Sequence, residues 1–62
     1  MNIIAACDHM NIDVITLFRL AYIHVYGKPD PTDGWNDLAR FKIDAVVPSH
    51  VRIYLSFLNK TP

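Results

Sequence analysis

The sequence predicts an all-α fold: a small three-helix bundle with a short N-terminal segment, forming one domain over residues 1–62. The main observation is a set of apolar residues at i, i+3, i+4 and i+7, the spacing of one helical face: Val51, Tyr54, Leu55 and Leu58. Glycine and proline interrupt the helical patterns after Tyr26 and before Ser49, so the connections are short. Helices joined by short connections pack as a compact bundle.

The N-terminal segment and the first helix are separated by polar residues. The first nine residues (MNIIAACDH) are largely apolar and fit either a helical turn or a strand, of which we favour the helical turn. The first full helix then begins after Asn11 or Asp13, because either side chain can cap its N-terminus. It runs to Tyr26, and Gly27 ends it as the residue that follows the last turn.

This first helix is apolar nearly all round. At about 100° per residue, one stripe consists of Val14, Phe18, Ala21, Tyr22 and Val25. The opposite half contains polar side chains, but it also contains Leu20 and Ile23. A helix with this pattern either lies at the centre of the fold or contacts another molecule.

The clearest loop is the stretch from Gly27 to Gly34, in which two prolines and two glycines predict a rigid turn. Asp30 or Thr32 caps the second helix, which begins around Pro31 and runs to about Ala45. The apolar face of this second helix is predicted to consist of Trp35, Leu38, Ala39, Ile43 and Val46.

Pro48 cannot continue the second helix, so a third helix begins at Pro48–Ser49, with Ser49 as a candidate cap. Ile53 and Phe57 widen the apolar face of this third helix. Its polar stripe carries no acidic residue and consists of Arg52, Ser56, Asn59 and Lys60.

Composition indicates a need for added stability. Hydrophobic residues make up 52% of the chain and charged residues only 19%, yet a domain of this size buries only about 60% of its unfolded surface. Small cores usually require a disulfide, a metal or a partner. Cys7 is the only cysteine and cannot form an intramolecular disulfide. We therefore expect oligomerisation, a partner or unusually good packing to supply the missing stability.

The net charge of zero argues against both an acidic mimic of nucleic acid and a strongly basic binder of it. The charge is unevenly distributed, however. Residues 1–37 contain five aspartates and two cations, a balance of −3, whereas residues 38–62 contain four cations and one aspartate, a balance of +3. Attraction between the halves could assist folding, or the dipolar molecule could associate head to tail.

No catalytic, cofactor-binding or metal-binding residue is predicted. The cysteine and the histidines lack the paired spacing of a zinc site: Cys7, His9, His24 and His50. A Cys–His nucleophilic pair remains open, although no orienting residue is evident. Asp30, Asp33 and Asp37 cluster around one loop, where capping explains the first two, and the closing glutamate of a calcium loop is missing because the chain has no Glu. We expect no enzyme, because a chain this small has little room for both a core and an enclosed pocket.

The amount of apolar and aromatic surface exceeds what one face of a small bundle needs. This surplus is concentrated on the back of the first helix and on the widened face of the third, which we predict to be a dimer seam or a partner site. The alternative is that the helices cover one another and bury it all. The predicted partner-binding residues are Arg19, Tyr22, Ile23, Tyr26, Trp35, Arg40, Arg52, Ile53, Tyr54 and Phe57.

A DNA-binding regulator is the alternative function. The connection at 46–48 is short enough for a helix-turn-helix, and the third helix would then present polar residues such as His50, Arg52 and Lys60 to a groove. Affinity for DNA comes mainly from phosphate neutralisation, and only two of the candidate residues are cations. Nucleic acid is therefore not the expected partner.

No membrane association is expected either. The longest apolar run, from Val14 to Tyr26, is shorter than a membrane span of about 20 residues, and it is interrupted by Thr16, Arg19 and His24. The N-terminus lacks the basic region of a signal peptide. The predicted location is the cytoplasm.

The later half of the chain resembles small helical accessory proteins that phages and other mobile elements encode. The resemblance lies in the run Asp33–Leu38 (DGWNDL) and in the run Val47–Leu55 (VPSHVRIYL). Some proteins of this class, including anti-CRISPR proteins, bind and disable a host protein complex. The resemblance implies a non-enzymatic inhibitor that binds a host protein in the host cytoplasm, without a cofactor, and a homodimer is the other expected assembly.

Overall fold

Four α-helices make up the fold in the computed structural model, which describes residues 1–60. They are α1 (Ile3–Met10), α2 (Val14–Tyr26), α3 (Trp35–Asp44) and α4 (Ser49–Lys60), and no strand occurs among the described residues. The all-α prediction is confirmed, whereas the count of three helices is not, because the N-terminal segment is itself an eight-residue helix. The last two residues of the predicted 1–62 domain lie outside the described part. No helix within residues 1–60 has the length and apolar character needed to cross a membrane.

The caps of α1 and α2 explain where these helices begin and end. Asn2 caps α1 by accepting a hydrogen bond from the Ala5 N–H, and Asn11 ends it in the left-handed conformation at φ 55°. Asp13 caps α2, since its Oδ1 accepts from the Thr16 N–H at 2.9 Å. Gly27 ends α2 at φ 72°, as the sequence predicts. The two candidate caps therefore serve different helices.

The second predicted helix begins later than expected, at Trp35 rather than around Pro31. Asp30 does not cap a helix: its Oδ1 accepts hydrogen bonds from the Thr32 N–H and hydroxyl, both at 2.8 Å, and so holds a turn. Asp33 and Gly34 then adopt left-handed φ values of 55° and 75°. Two consecutive left-handed residues cannot continue a right-handed helix, so α3 starts directly after them.

Helix α2 lies at the centre of the fold and packs against all three other helices. Leu17, Phe18 and Ala21 of α2 are completely buried. Helix α4 contributes the face that the sequence predicts, with Val51 and Leu55 buried and Tyr54 and Leu58 packed at the edge of the core. The remaining buried apolar residues are Ile3, Ala6, Cys7 and Leu38.

Within residues 1–60, α3 packs mainly against α2. The apolar face predicted for α3 is wrong. Of its five predicted members only Leu38 is buried, and the Phe41 ring, absent from that face, meets the Phe18 ring edge-on at 5.8 Å between centroids. Gly34 explains the difference. A Cβ at this position would lie 3.3 Å from the Phe18 Cβ, so the glycine allows a close approach that turns Leu38 and Phe41 toward α2.

Candidate binding surface and adjoining cleft

Three apolar residues of α3 lie on a face that no other helix covers in the described part of the chain. Trp35, Ala39 and Ile43 recur every four residues, a spacing that places them on one side of a helix. Trp35 is 64% exposed, Ile43 is 82% exposed and Ala39 is also exposed. We call these three residues the α3 stripe. Contiguous exposed apolar surface marks interaction sites in soluble proteins.

Basic residues flank the α3 stripe on both sides. At about 100° per residue, Lys42 falls on the Trp35 edge and Arg40 beyond the Ile43 edge, while Asp37 falls on the far side of the helix. Arg40 and Lys42 are both exposed, and neither forms an ion pair within residues 1–60. The stripe therefore has a cation on each side, and the exposed Asp44 lies about 40° beyond Arg40.

A cleft of about 290 Å³ adjoins the stripe, between the C-terminal end of α2, one side of α3 and the N-terminus of α4. Arg40 belongs to both the rim of the stripe and the wall of the cleft, and the exposed Val46 also lines the cleft. The lining residues are Tyr26, Asp37, Arg40, Val46, Val47, Pro48, Ser49 and His50.

His50 is the most unusual residue of the cleft because it is polar and only 6% exposed. The Tyr22 and Tyr26 rings pack against its imidazole at centroid distances of 5.6 and 6.1 Å. Its Nε2 lies 3.4 Å from the Asp37 Oδ2, within ion-pair distance, but the geometry does not form a hydrogen bond. Nε2 is thus buried without a hydrogen-bond partner among the described residues, which is costly for a polar atom.

A second buried polar residue, Asp30, contributes to the electrostatics around His50. Burial raises the pKa of Asp30, but hydrogen bonds from Thr32 and Gly34 and the charge of His50 lower it more. The net pKa lies below its ordinary value, so Asp30 is ionised at neutral pH. Its Oδ2 has no hydrogen-bond partner within residues 1–60.

Cys7 is unsuited to nucleophilic chemistry. Burial raises the pKa of its thiol, and the nearby charges of Asp13 and Asp8 raise it further. A neutral, buried thiol is inert, because the thiolate is the reactive form. Within the described part of the chain, no three His, Cys or Asp side chains come together in an arrangement that could hold a metal ion.

The structure distributes the predicted partner-binding residues over several surfaces. The Tyr22 and Tyr26 rings lie 4.4 Å apart between centroids, tilted by 43°, beside the cleft. Arg19 forms an exposed ion pair with Asp33 at 3.8 Å. The Tyr54 and Phe57 rings lie 6.1 Å apart between centroids. Both lie next to His24, whose ring centroid is 4.5 Å from that of Phe57. Tyr22 and Tyr54 are half-buried, and the exposed members of the predicted set are Arg19, Ile23, Tyr26, Trp35, Arg40, Arg52, Ile53 and Phe57.

The two faces expected to carry the surplus apolar surface are less open than the α3 stripe. On the back of α2, Leu20 is half-buried and Ile23 is 44% exposed; on α4, Ile53 is 51% and Phe57 44% exposed. Part of the Phe57 ring is covered by the contact with His24. The largest exposed fraction among these apolar side chains belongs instead to Ile43.

Sequence reasoning missed Ala39 and Ile43 as surface candidates because α3 has two apolar arcs of similar character. A signal was nevertheless present: Gly34, Leu38 and Phe41 are spaced i, i+4 and i+7 and share one face. A glycine on the same face as two large apolar residues permits close helix packing. That face is the buried one, and the other arc is left to solvent.

Comparison with known proteins found no matching protein family, no matching curated protein and no matching solved structure.

Proposed function

We propose that this chain is a non-enzymatic protein-binding module that docks the α3 stripe onto an apolar surface of another protein. The observation that carries this proposal is the exposure of Ile43 and Trp35 on a helix face that no helix covers within residues 1–60. Burial of an isoleucine side chain contributes about 1.5–3 kcal/mol. Tryptophan is among the residues that most often dominate binding energy, so the stripe contains a suitable anchor.

The charge around the stripe favours a partner with an acidic rim. Arg40 and Lys42 flank the apolar residues on opposite sides, so two copies of this chain that met through their stripes would bring cations together. A different protein with acidic residues around an apolar patch would complement this surface. The homodimer expected as the other assembly is therefore the less favoured occupant of this face.

The narrower prediction, a phage-type inhibitor of a host complex such as a CRISPR effector, rests on the sequence resemblance alone. The alternative of a helix-turn-helix regulator gains no support from the fold. Within residues 1–60, α3 and α4 approach each other at Asp37 and His50 but do not pack along their lengths. The two helices of a helix-turn-helix, by contrast, pack against each other.

An affinity capture with matched variants tests the proposal. The tagged chain is incubated with lysate from cells that produce it, and the captured proteins are quantified for wild type, I43S and I4S. Ile4 on α1 is 72% exposed, so I4S makes the same chemical change on a different surface. We expect a set of proteins that wild type and I4S recover and I43S loses.

Binding is then measured with the purified partner through the fluorescence of Trp35, the single tryptophan of the chain. Burial should shift its emission to shorter wavelength, and I43S should weaken the affinity by about 10–100-fold, the equivalent of losing one buried isoleucine. Equal affinity of I43S and wild type would refute the docking role of the stripe. A wild-type dimer in sedimentation that I43S dissociates would assign the stripe to a second copy instead.

A further inference from the structure

His50 and Asp37 form the only ion-pair contact between α3 and α4 among residues 1–60. The His50 Nε2 lies 3.4 Å from the Asp37 Oδ2, and each residue belongs to the first turn of its helix. The rest of α3 packs against α2. The pair therefore attaches the N-terminal turn of α3 to a second helix.

The strength of this attachment depends on the protons of the imidazole. In a neutral histidine one ring nitrogen donates and the other accepts. An unprotonated Nε2 would direct its lone pair at the carboxylate, and a neutral ring with its proton on Nε2 would offer a donor without a charge. The imidazolium adds the opposite charge to this contact. Because Nε2 is buried, that attraction is little screened by salt.

The groups around the ring supply counter-ions for an imidazolium. Besides the carboxylate on α3, Asp30 of the preceding loop is buried and near enough for the charge of His50 to lower the pKa of Asp30. Tyr22 and Tyr26 of α2 pack against the ring without adding a charge. Burial, the positive end of α4 and Arg40 in the same cleft oppose the imidazolium. A ring with both kinds of neighbour can bind and release a proton, as a switch requires.

We propose that the His50–Asp37 pair is a proton-dependent attachment that holds the start of α3 against α4. When His50 is protonated, a small rotation of the Asp37 side chain completes a charge-assisted hydrogen bond. When the proton leaves, the charge of the pair is lost and the N-terminal turn of α3 is held by α2 alone. The attachment is thus strong at acidic pH and weakens as the pH rises through the range in which histidine titrates.

The position of the pair gives it a consequence for the α3 stripe. Trp35 begins the same helical turn that contains Asp37, so release of this turn also loosens one end of the stripe. This consequence rests on the proposed function, because it concerns the docking of the stripe. The proton-dependent attachment itself does not depend on a partner.

Amide hydrogen exchange of the ¹⁵N-labelled chain, followed by nuclear magnetic resonance, tests the proposal by comparing wild type with D37N at about pH 5 and about pH 8. At the lower pH, the α3 amides of D37N should exchange about tenfold faster than those of wild type, the equivalent of losing one hydrogen bond to a charged group. At the higher pH the two rates should be nearly equal. The ratio at each pH cancels the pH dependence of the exchange chemistry itself.

The matched control is D44N, which removes a carboxylate from the other end of α3. Asp44 is exposed and forms no ion pair within the described residues, so the ratio of D44N to wild type should be the same at both pH values. A D37N ratio that does not change with pH would overturn the proposal. So would a His50 ring in wild type whose ¹⁵N shifts show no titration between these limits, a measurement that needs no substitution.

The I43S variant separates this proposal from the docking of the stripe. Its α3 amides should respond to pH like those of wild type even though it loses the partner. A pH response that I43S lacks would overturn the independence of the pair from the stripe. With the purified partner, D37N should bind several-fold more weakly than wild type at about pH 5 and equally at about pH 8. Equal affinities at both pH values would overturn the control of docking by the pair.

Discussion

The close approach of α3 to α2 can be measured by comparing two glycine substitutions. Gly27 and Gly34 have nearly equal φ values of 72° and 75°, so alanine suffers the same backbone strain at both positions. Their surroundings differ. An added Cβ at Gly27 meets nothing within 4 Å, whereas at Gly34 it lies 3.3 Å from the Phe18 Cβ and 3.5 Å from the Arg19 Cγ.

The expected magnitudes follow from these two contributions. A left-handed conformation costs an L-residue about 1–2 kcal/mol, and the reduced freedom of the unfolded chain returns about 0.4–1 kcal/mol. G27A should therefore lower the free energy of unfolding by about 1 kcal/mol. G34A adds crowding against the completely buried Phe18, which cannot move aside easily, and overpacking costs about 1–3 kcal/mol. Its total should reach about 2–4 kcal/mol.

Urea unfolding of both variants, followed by far-ultraviolet circular dichroism, gives the two free energies. Thermal melts provide a second measurement, since 1 kcal/mol shifts the melting temperature of a domain this size by about 4–8 °C. The quantity of interest is the excess cost of G34A over G27A, because the strain common to both cancels. Equal destabilisation by the two variants would refute the close packing of Gly34 against α2 and the orientation of α3 derived from it.

Further predictions concern the core, the exposed stripe, the buried carboxylate and the thiol. L17A should lower the free energy of unfolding by about 2–5 kcal/mol, because it leaves a cavity at a completely buried position. I43S should change it by no more than about 0.5 kcal/mol in the same urea experiment, because Ile43 is exposed. Asp30 has a lowered pKa in the folded state, so its contribution to stability is present above the unfolded pKa of about 3.9 and is lost as the pH falls through the lower folded pKa. Melting temperatures across this acidic range should therefore fall more steeply for wild type than for D30N. Cys7 should react with a chromogenic thiol reagent only as the chain unfolds in urea. The absorbance of the chromophore that the reaction releases measures the extent of labelling.

The predictions for L17A, Asp30 and Cys7 each have a contrary result. A small effect of L17A, comparable to that of I43S, would place Leu17 outside the core. If the melting temperatures of wild type and D30N fell equally with pH, the ionised Asp30 would not be a source of the pH dependence. Rapid labelling of Cys7 in the native protein, before any change in circular dichroism, would contradict the burial and the raised pKa of its thiol.

Local sequence signals determined both ends of α2 and the start of α4, but not the start of α3. The Asp13 cap and the Gly27 stop fix α2, because both act through hydrogen bonds and φ values within a few residues. The face of α4 also followed from sequence, since Val51 and Leu55 belong to a single continuous apolar stripe. A helix that has only one apolar stripe buries that stripe, so its sequence predicts the buried face.

Tertiary structure decided which face of α3 is buried and which is free. The helix has two apolar arcs, one with Leu38 and Phe41 and the other with Trp35 and Ile43, and periodicity alone does not rank them. The close contact of Gly34 with Phe18 selects the first arc, and this contact joins segments that are distant along the chain.

The cleft has the same origin. No sequence pattern brings His50, Asp37 and Arg40 together. The packing of α4 against α2 places the imidazole next to the Tyr22 and Tyr26 rings and opposite α3. The sequence by itself determined a helical chain with more apolar surface than its core requires. Its tertiary packing decided where that surface lies, because burial depends on contacts between helices that no local pattern encodes.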